Sequence, residues 1–279
     1  MHAKDTIELA NKKYFGVTIF LFCSSILLTF LVANKDKYIY ELDHLVFSFL
    51  SVLDANGFSD SIIVTNIILL SLLYGEDYFW SFVMVILFFF AGKEGRYIVF
   101  ILLVSYLLLV PLGFLSKDII KRERPSLESD ATIHGKLSFT NRERTQYSYP
   151  SGHAIIVSTG AFVVVFHLLF RYNHDYNNHY RNYNAKKNAI AILLVSVFLV
   201  IESIWVCFVQ IVVKAHYMTD ILAGIILGTG ISLSVILCFG KPIRRLQDLL
   251  SNIPLFSLFE NYMDNMVRKI NGSNEISKT

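Results

Sequence analysis

YIVFILLVSYLLLVPLGFL, residues Tyr97 to Leu115, is a stretch of this chain without a single charged side chain. A helix needs about 20 mainly apolar residues to cross the hydrocarbon core of a bilayer, and this stretch meets that requirement. Its apolar residues are continuous rather than alternating with polar ones, which favours a helix over a strand of a membrane barrel. The stretch therefore predicts a transmembrane helix.

Further apolar stretches of spanning length lie on both sides of it, at Phe15 to Val32, Ala154 to Phe170, Ala189 to Val213 and Met218 to Phe239. Hydrophobic residues make up 54% of the 279-residue chain, which is more than a soluble core of this size needs. The N-terminal stretch is followed by no small-residue cleavage site, so we interpret it as a retained anchor. The chain is expected to be an integral membrane protein.

The region from Ser61 to Ala91 has two shorter apolar halves, separated by Gly75, Glu76 and Asp77. We interpret it as one crossing, in which the second half, led by Trp80, spans the bilayer. Two full crossings are the alternative. With one crossing here, the sequence predicts an all-α fold, a polytopic membrane helical bundle with about six transmembrane helices.

Composition also excludes several kinds of protein. The net charge of +3 is too small to indicate a nucleic-acid partner. The three cysteines fall in apolar stretches without metal-ligand spacing, which argues against a disulfide framework or a zinc site. We predict no metal and no cofactor, and the oligomeric state is left open.

Basic residues indicate how the chain is oriented. With about six crossings, one side carries Lys12, Lys13, Lys93, Arg96, Arg171, Arg181, Lys186, Lys187, Lys241, Arg244 and Arg245, and the positive-inside rule makes that side cytoplasmic. The long loop from about Ser116 to Pro150 falls on the other side, yet it is also strongly basic. An anionic ligand would explain this exception. We take residues 1–240 as the membrane domain and residues 241–279 as an amphipathic or poorly ordered cytoplasmic tail.

The first polar cluster is KDIIKRERP, Lys117 to Pro125. If the helix continues, Lys117, Lys121 and Arg124 share one face, and Pro125 disfavours helix at the residue before it. An ammonium and a planar guanidinium on one face suit a phosphate group. The alternative is interfacial charge that reaches towards water.

The second cluster is PSGH, Pro150 to His153, directly before an apolar stretch. Ser151 is expected to cap a helix there, and Gly152 allows a ligand to approach the backbone closely. The free N–H groups of that helix end would cradle an anion, and His153 in the first turn is placed to pass a proton to it. The alternative is an ordinary capped helix with an interfacial histidine.

The third cluster is KAHYMTDILAG, Lys214 to Gly224. His216 and Asp220 are four residues apart, so on a helix the carboxylate could accept a hydrogen bond from one ring nitrogen and leave the other as a nucleophile. Such a pair also occurs in metal sites or as a structural bond. The glycines that follow have the spacing of close helix packing, and they are Gly224, Gly228 and Gly230.

Together, the three clusters resemble the type 2 phosphatidic acid phosphatase superfamily, whose signature is KxxxxxxRP, PSGH and SRxxxxxHxxxD. The resemblance implies that His216 attacks phosphorus to give a phosphohistidine, that Asp220 supports its imidazole, and that His153 protonates the leaving oxygen. It also implies that the substrate phosphate is bound by Lys117, Arg124, Ser151 and Gly152.

One position departs from the signature. Where the family has Arg preceded by Ser, this chain has Gln210 preceded by Val209. Lys214 lies one helical turn beyond Gln210, and we hypothesise that its ammonium supplies the missing positive charge, without the bidentate fork of a guanidinium. A protein in which it does not would be slow or a non-catalytic lipid-binding relative.

A site at the outer helix ends would face the membrane surface on the non-cytoplasmic side. The resemblance then implies a lipid phosphate or diphosphate as substrate, such as polyprenyl diphosphate, phosphatidic acid, phosphatidylglycerol phosphate or a lipid A phosphate. A lipid phosphotransferase, in which an alcohol replaces water, is the alternative. The related vanadium haloperoxidases are soluble, so the membrane helices argue against that activity.

Overall fold

A computed structural model describes residues 3–55, 62–125, 147–178, 183–213 and 215–251, together with Tyr262 and Asn265. These residues form helices and no strand, with one isolated β-bridge between Glu123 and Tyr147. The helices are α1 (Ala3–Ala33), α2 (Lys37–Ala55), α3 (Ile62–Tyr74), α4 (Asp77–Phe90), α5 (Gly92–Ile120), α6 (Gly152–Asn178), α7 (Tyr183–Val212) and α8 (Met218–Ser251).

Five of the helices contain stretches long and apolar enough to cross a membrane, at Tyr14–Ala33, Gly92–Ile120, Gly152–Leu169, Ile190–Val212 and Met218–Leu250. Large apolar side chains point outward from these helices, including Phe20, Leu107 and Leu194. An aqueous surface would not tolerate such an apolar area, whereas lipid does. The predicted all-α membrane bundle is confirmed, and with α4 the number of crossings is close to six.

The region from Ser61 to Ala91 is broken at the Gly75–Glu76 turn, as its sequence indicated. α3 runs along α7, where Ile68 packs with Val209 and Val213. α4 begins beside the start of α6 and ends next to the start of α5, so it extends from one end of the bundle to the other. Its 14 residues span about 21 Å, less than a full hydrocarbon core.

The bundle is held together where α6 packs against α8. A Cβ at Gly224 would lie 2.7 Å from the carbonyl oxygen of Ser151, and one at Gly228 would lie 2.4 Å from the hydroxyl of Ser158. Only glycine allows the two backbones to approach this closely. The packing role predicted for Gly224 and Gly228 is confirmed, while Gly230 faces Leu21 of α1 at an ordinary contact distance.

The two ends of the bundle differ in chemistry. At one end, Arg244 of α8 forms a bidentate ion pair with Glu94 of α5, with both N···O distances at 3.0 Å, and its guanidinium lies over the ring of Tyr97. These contacts bring the start of α5 and the last part of α8, which both carry basic residues, to the same end of the bundle. The side of the membrane that this end faces stays a prediction. The polar clusters lie at the other end.

Two parts of the fold differ from the sequence analysis. The segment from Lys35 to Gly57 was treated as a connection, yet Lys37–Ala55 forms α2, which lies at the end that carries the clusters. α8 continues to Ser251 across the boundary drawn at residue 240. Most of the predicted tail lies outside the described residues, so the division at residue 240 stays a prediction.

Candidate active site

The three polar clusters meet at one end of the bundle. The Lys117 ammonium near the end of α5 donates a hydrogen bond to the carbonyl oxygen of Tyr147 at 3.3 Å. The backbone N–H of Ser151, before α6, donates to the carbonyl oxygen of Asp220 in α8 at 3.1 Å. Segments about 100 residues apart in sequence therefore form one site, as the resemblance implied.

The first cluster is not one helix face. α5 ends at Ile120, because Lys121 adopts a left-handed conformation with φ 49° and ψ 36° and stops the helix before Pro125 can affect it. Arg124 reaches the site from the segment that follows. Its guanidinium donates to the carbonyl oxygen of Ala215 at 2.8 Å and lies 3.4 Å from Nε2 of His216.

The second cluster forms a capped helix start, as predicted. The Ser151 hydroxyl accepts a hydrogen bond of 3.4 Å from the backbone N–H of Ala154. The Ser151 N–H, however, is bonded to Asp220, so the prediction that this amide cradles an anion is wrong. Apart from its chain neighbours and the local helix backbone, no atom of the described residues lies within 4 Å of the position that a Cβ at Gly152 would take, which leaves the backbone open to a ligand.

His216 is held in a defined tautomer. Its Nδ1 lies 2.8 Å from the carbonyl oxygen of Ser148, which can only accept a hydrogen bond, so Nδ1 carries the proton. In the neutral imidazole, Nε2 then has the lone pair and faces the guanidinium of Arg124. The geometry makes Nε2 the nitrogen available for nucleophilic attack.

Asp220 is not the hydrogen-bond partner that the sequence indicated. α8 begins at Met218, so His216 lies in the turn before the helix rather than one turn away from Asp220 on it. The nearer carboxylate oxygen is 3.8 Å from Nδ1, beyond hydrogen-bond distance, and the carbonyl of Ser148 takes its place. Asp220 thus acts on His216 through its charge more than through a direct bond.

Asp220 is instead fixed by Arg122, a residue to which sequence reasoning gave no individual role. The Arg122 guanidinium donates to Oδ1 of Asp220 at 2.7 Å and to Oδ2 of Asp43 at 2.5 Å. The backbone N–H of Thr219 donates to Asp43 at 3.0 Å. All four side chains are buried, so α2 is tied to the start of α8 through a desolvated ion network.

Two aromatic rings flank this guanidinium. Tyr217 lies 4.1 Å and Tyr40 lies 5.0 Å from Cζ of Arg122, both within the range of cation–π contacts. Burial opposes the charge, but Asp220 and Asp43 outweigh it and raise the pKa of Arg122 above its ordinary value. Arg122 is therefore a permanent internal cation, which explains part of the excess positive charge in this loop without a ligand.

Several predicted residues remain to be placed. His153 lies in the first turn of α6, with Nε2 3.3 Å from a carboxylate oxygen of Glu76. Gln210 is buried, and its backbone carbonyl oxygen accepts hydrogen bonds from the backbone N–H groups of Ala215 and His216 at 3.0 and 3.2 Å. Lys214 lies outside the described residues. In the described part of the chain, His, Cys, Asp and Glu form no group of three or more that could hold a metal ion.

Burial should keep the imidazole of His216 neutral. It lowers the pKa of His216 from its ordinary value of 6.5 to about 4; Asp220 opposes this shift, whereas the charges of Arg124 and Lys117 add to it. The unfolded chain binds this proton more readily than the folded one, so stability is lost as pH falls from 6.5 through 4. ¹⁵N-histidine NMR of the solubilised protein, with the signal assigned by His216→Asn, should show this ring neutral at pH 5.5. A midpoint near 6.5 would contradict the buried environment.

Comparison with known proteins identifies the family. The family model described as the PAP2 superfamily matches residues 95–244, more than half of the chain and the part that carries all three clusters. This chain belongs to the PAP2 superfamily. An undecaprenyl-diphosphatase of Sulfolobus acidocaldarius is 30% identical over 183 residues, which are 63% of this chain and 72% of that protein.

A solved PAP2 structure has the same fold. The crystal structure of a transmembrane PAP2 type phosphatidylglycerolphosphate phosphatase from Bacillus subtilis aligns with a TM-score of 0.53 at 15% identity, covering 85% of this chain and 98% of that one. The fold, the family and the long apolar helices agree with each other. This PAP2 protein is a phosphatase and an integral membrane protein.

Proposed function

We propose that this protein releases phosphate from a membrane lipid that carries a phosphate or a diphosphate group, through a phosphohistidine formed on His216. The observation that carries the proposal is the 3.4 Å contact between the Arg124 guanidinium and Nε2 of His216. It places a planar cation beside the nucleophilic nitrogen, where the oxygens of a phosphoryl group would lie. The tautomer fixed by the carbonyl of Ser148 supports the same assignment.

In the first half of the reaction, Nε2 of His216 attacks phosphorus as the bond from phosphorus to the leaving oxygen breaks. Lys117 and Arg124 neutralise the phosphoryl oxygens, which can also approach the open backbone at Gly152. His153 donates a proton to the leaving oxygen. Asp220, held by Arg122, stabilises the positive charge that develops on the imidazole of His216.

In the second half, water attacks phosphorus and the bond between phosphorus and Nε2 breaks. His153, which lost its proton in the first half, accepts one from this water. Phosphate leaves, and His216 returns to its neutral form. Lys214, as the substitute for the arginine missing at Gln210, stays a prediction in this scheme.

The position of the site supports a lipid substrate. The clusters occupy one end of a bundle whose outer surface is apolar, so a headgroup could bind there while its tail stays in the bilayer. The relatives named above act on undecaprenyl diphosphate and phosphatidylglycerol phosphate, which supports this class. We favour a polyprenyl diphosphate or another lipid phosphate, bound on the non-cytoplasmic face.

The test is phosphate release by the purified protein in detergent micelles with a chelator present. The substrates are a polyprenyl diphosphate, phosphatidic acid and phosphatidylglycerol phosphate, with and without an added acceptor alcohol. We expect release of inorganic phosphate from at least one of them, and a ³²P-labelled enzyme that is stable in alkali and labile in acid. No release from any lipid phosphate, or transfer only to the alcohol, would overturn the proposal.

A further inference from the structure

A carboxylate from outside the family's motifs contacts His153. Oε1 of Glu76 lies 3.3 Å from Nε2 of His153, and the side chains are 14% and 28% exposed, respectively. Glu76 comes from the turn between α3 and α4, before the region 95–244 that the family model matches. The carboxylate of this contact therefore lies outside the region that the family model describes.

The helix that follows does not use this carboxylate. Glu76 occupies the N-cap position of α4, with φ −89° and ψ 151°, but makes no side-chain cap hydrogen bond. Its side chain is directed to His153 instead, across 77 residues of sequence. A half-buried carboxylate that leaves its own helix uncapped and meets an imidazole points to a role at the histidine.

We propose that Glu76 is a positioning residue that holds Nε2–H of His153 and leaves Nδ1 as the nitrogen that exchanges protons with the substrate. The proposal rests on the proposed function, in which His153 is the general acid and base. In the first half, Nδ1–H passes its proton to the leaving oxygen as the bond to phosphorus breaks. In the second half, Nδ1 accepts a proton from water, while Nε2–H stays with Glu76 throughout.

Two substrates with different leaving groups distinguish this positioning role from a purely structural one. An alkyl phosphate leaves as an alkoxide that must be protonated, whereas a nitrophenolate leaves without a proton. The parameter kcat/KM reports the reaction through departure of the leaving group, so it isolates this step. Damage to the fold would lower kcat/KM for both substrates alike.

The experiment compares Glu76→Gln with wild type on phosphatidic acid and on an alkyl-substituted nitrophenyl phosphate. We expect kcat/KM to fall at least about tenfold for phosphatidic acid and less than about twofold for the nitrophenyl substrate. Asp77→Asn removes an exposed carboxylate from the next position and should leave both values near wild type. Glu76→Asp keeps the charge with a shorter reach, and it replaces the Gln variant if that protein does not accumulate.

His153→Ala distinguishes the failure of this proposal from failure of the proposed function. If His153→Ala shows the leaving-group preference and Glu76→Gln does not, the role of Glu76 is rejected and the general acid stands. If His153→Ala shows no preference, the general acid itself is rejected. In the double variant, Glu76→Gln should add less than about twofold to the effect of His153→Ala, and full additivity would also reject the proposal.

Discussion

Replacing His216 by asparagine is expected to lower phosphate release by at least about a thousandfold while the protein stays folded. Asparagine keeps an N–H that can donate to the carbonyl of Ser148, as Nδ1 does at 2.8 Å in the native site. It has no counterpart of Nε2, the atom on which the proposed phosphohistidine would form. The loss therefore comes from the missing nucleophile rather than from a lost structural bond.

The measurement is initial-rate phosphate release together with ³²P-labelling of both proteins. The matched control is His44→Asn, which changes an exposed histidine of α2 at the same end of the bundle. We expect the control to keep wild-type activity and labelling. A His216→Asn protein that retains activity within about tenfold of wild type would remove His216 as the nucleophile.

The sequence predicted the membrane helices and the capped start of α6 well, because both depend on local patterns. Continuous apolar runs identify membrane helices whatever lies around them, and the Ser151 cap depends on residues within one turn. The arrangement of His216 was predicted less well. Its spacing to Asp220 suggested one helix, but the chain turns at His216 and the carbonyl of Ser148, 68 residues away, becomes its partner.

The contacts that no motif contains could not be predicted. Asp43 meets Arg122 across 79 residues, and Glu76 meets His153 across 77. Such pairs depend on how the helices pack, which a single sequence does not reveal. One signal for α2 was present: its exposed apolar residues recur at helical spacing, at Tyr38, Leu42, Leu45 and Phe49, and Asp43 lies between them.

Replacing Arg122 by methionine is expected to destabilise the protein by about 3–5 kcal/mol. The guanidinium, whose side chain is 4% exposed, bridges two carboxylates that are 1% and 0% exposed. Methionine fills much of the same volume but leaves Asp43 and Asp220 as uncompensated buried charges. Activity should fall by about a hundredfold as well, because Asp220 loses the contact that fixes it behind His216.

Asp43→Asn is expected to have a smaller effect, about 1–3 kcal/mol, because the pair of Arg122 with Asp220 remains. In the Arg122→Met background the same change should cost less or become stabilising, since it removes one of the two orphaned carboxylates. The coupling free energy between the two positions therefore has a predicted sign: the double variant should be less destabilised than the sum of the two single effects.

Equilibrium unfolding in detergent, followed by circular dichroism, measures these free energies. Lys121→Met is the matched control, because it removes an exposed cation from the adjacent position. If Arg122→Met unfolds at the same denaturant concentration as Lys121→Met, Arg122 is not the internal counter-ion of Asp43 and Asp220. The excess positive charge of this loop would then have to be explained by a ligand after all.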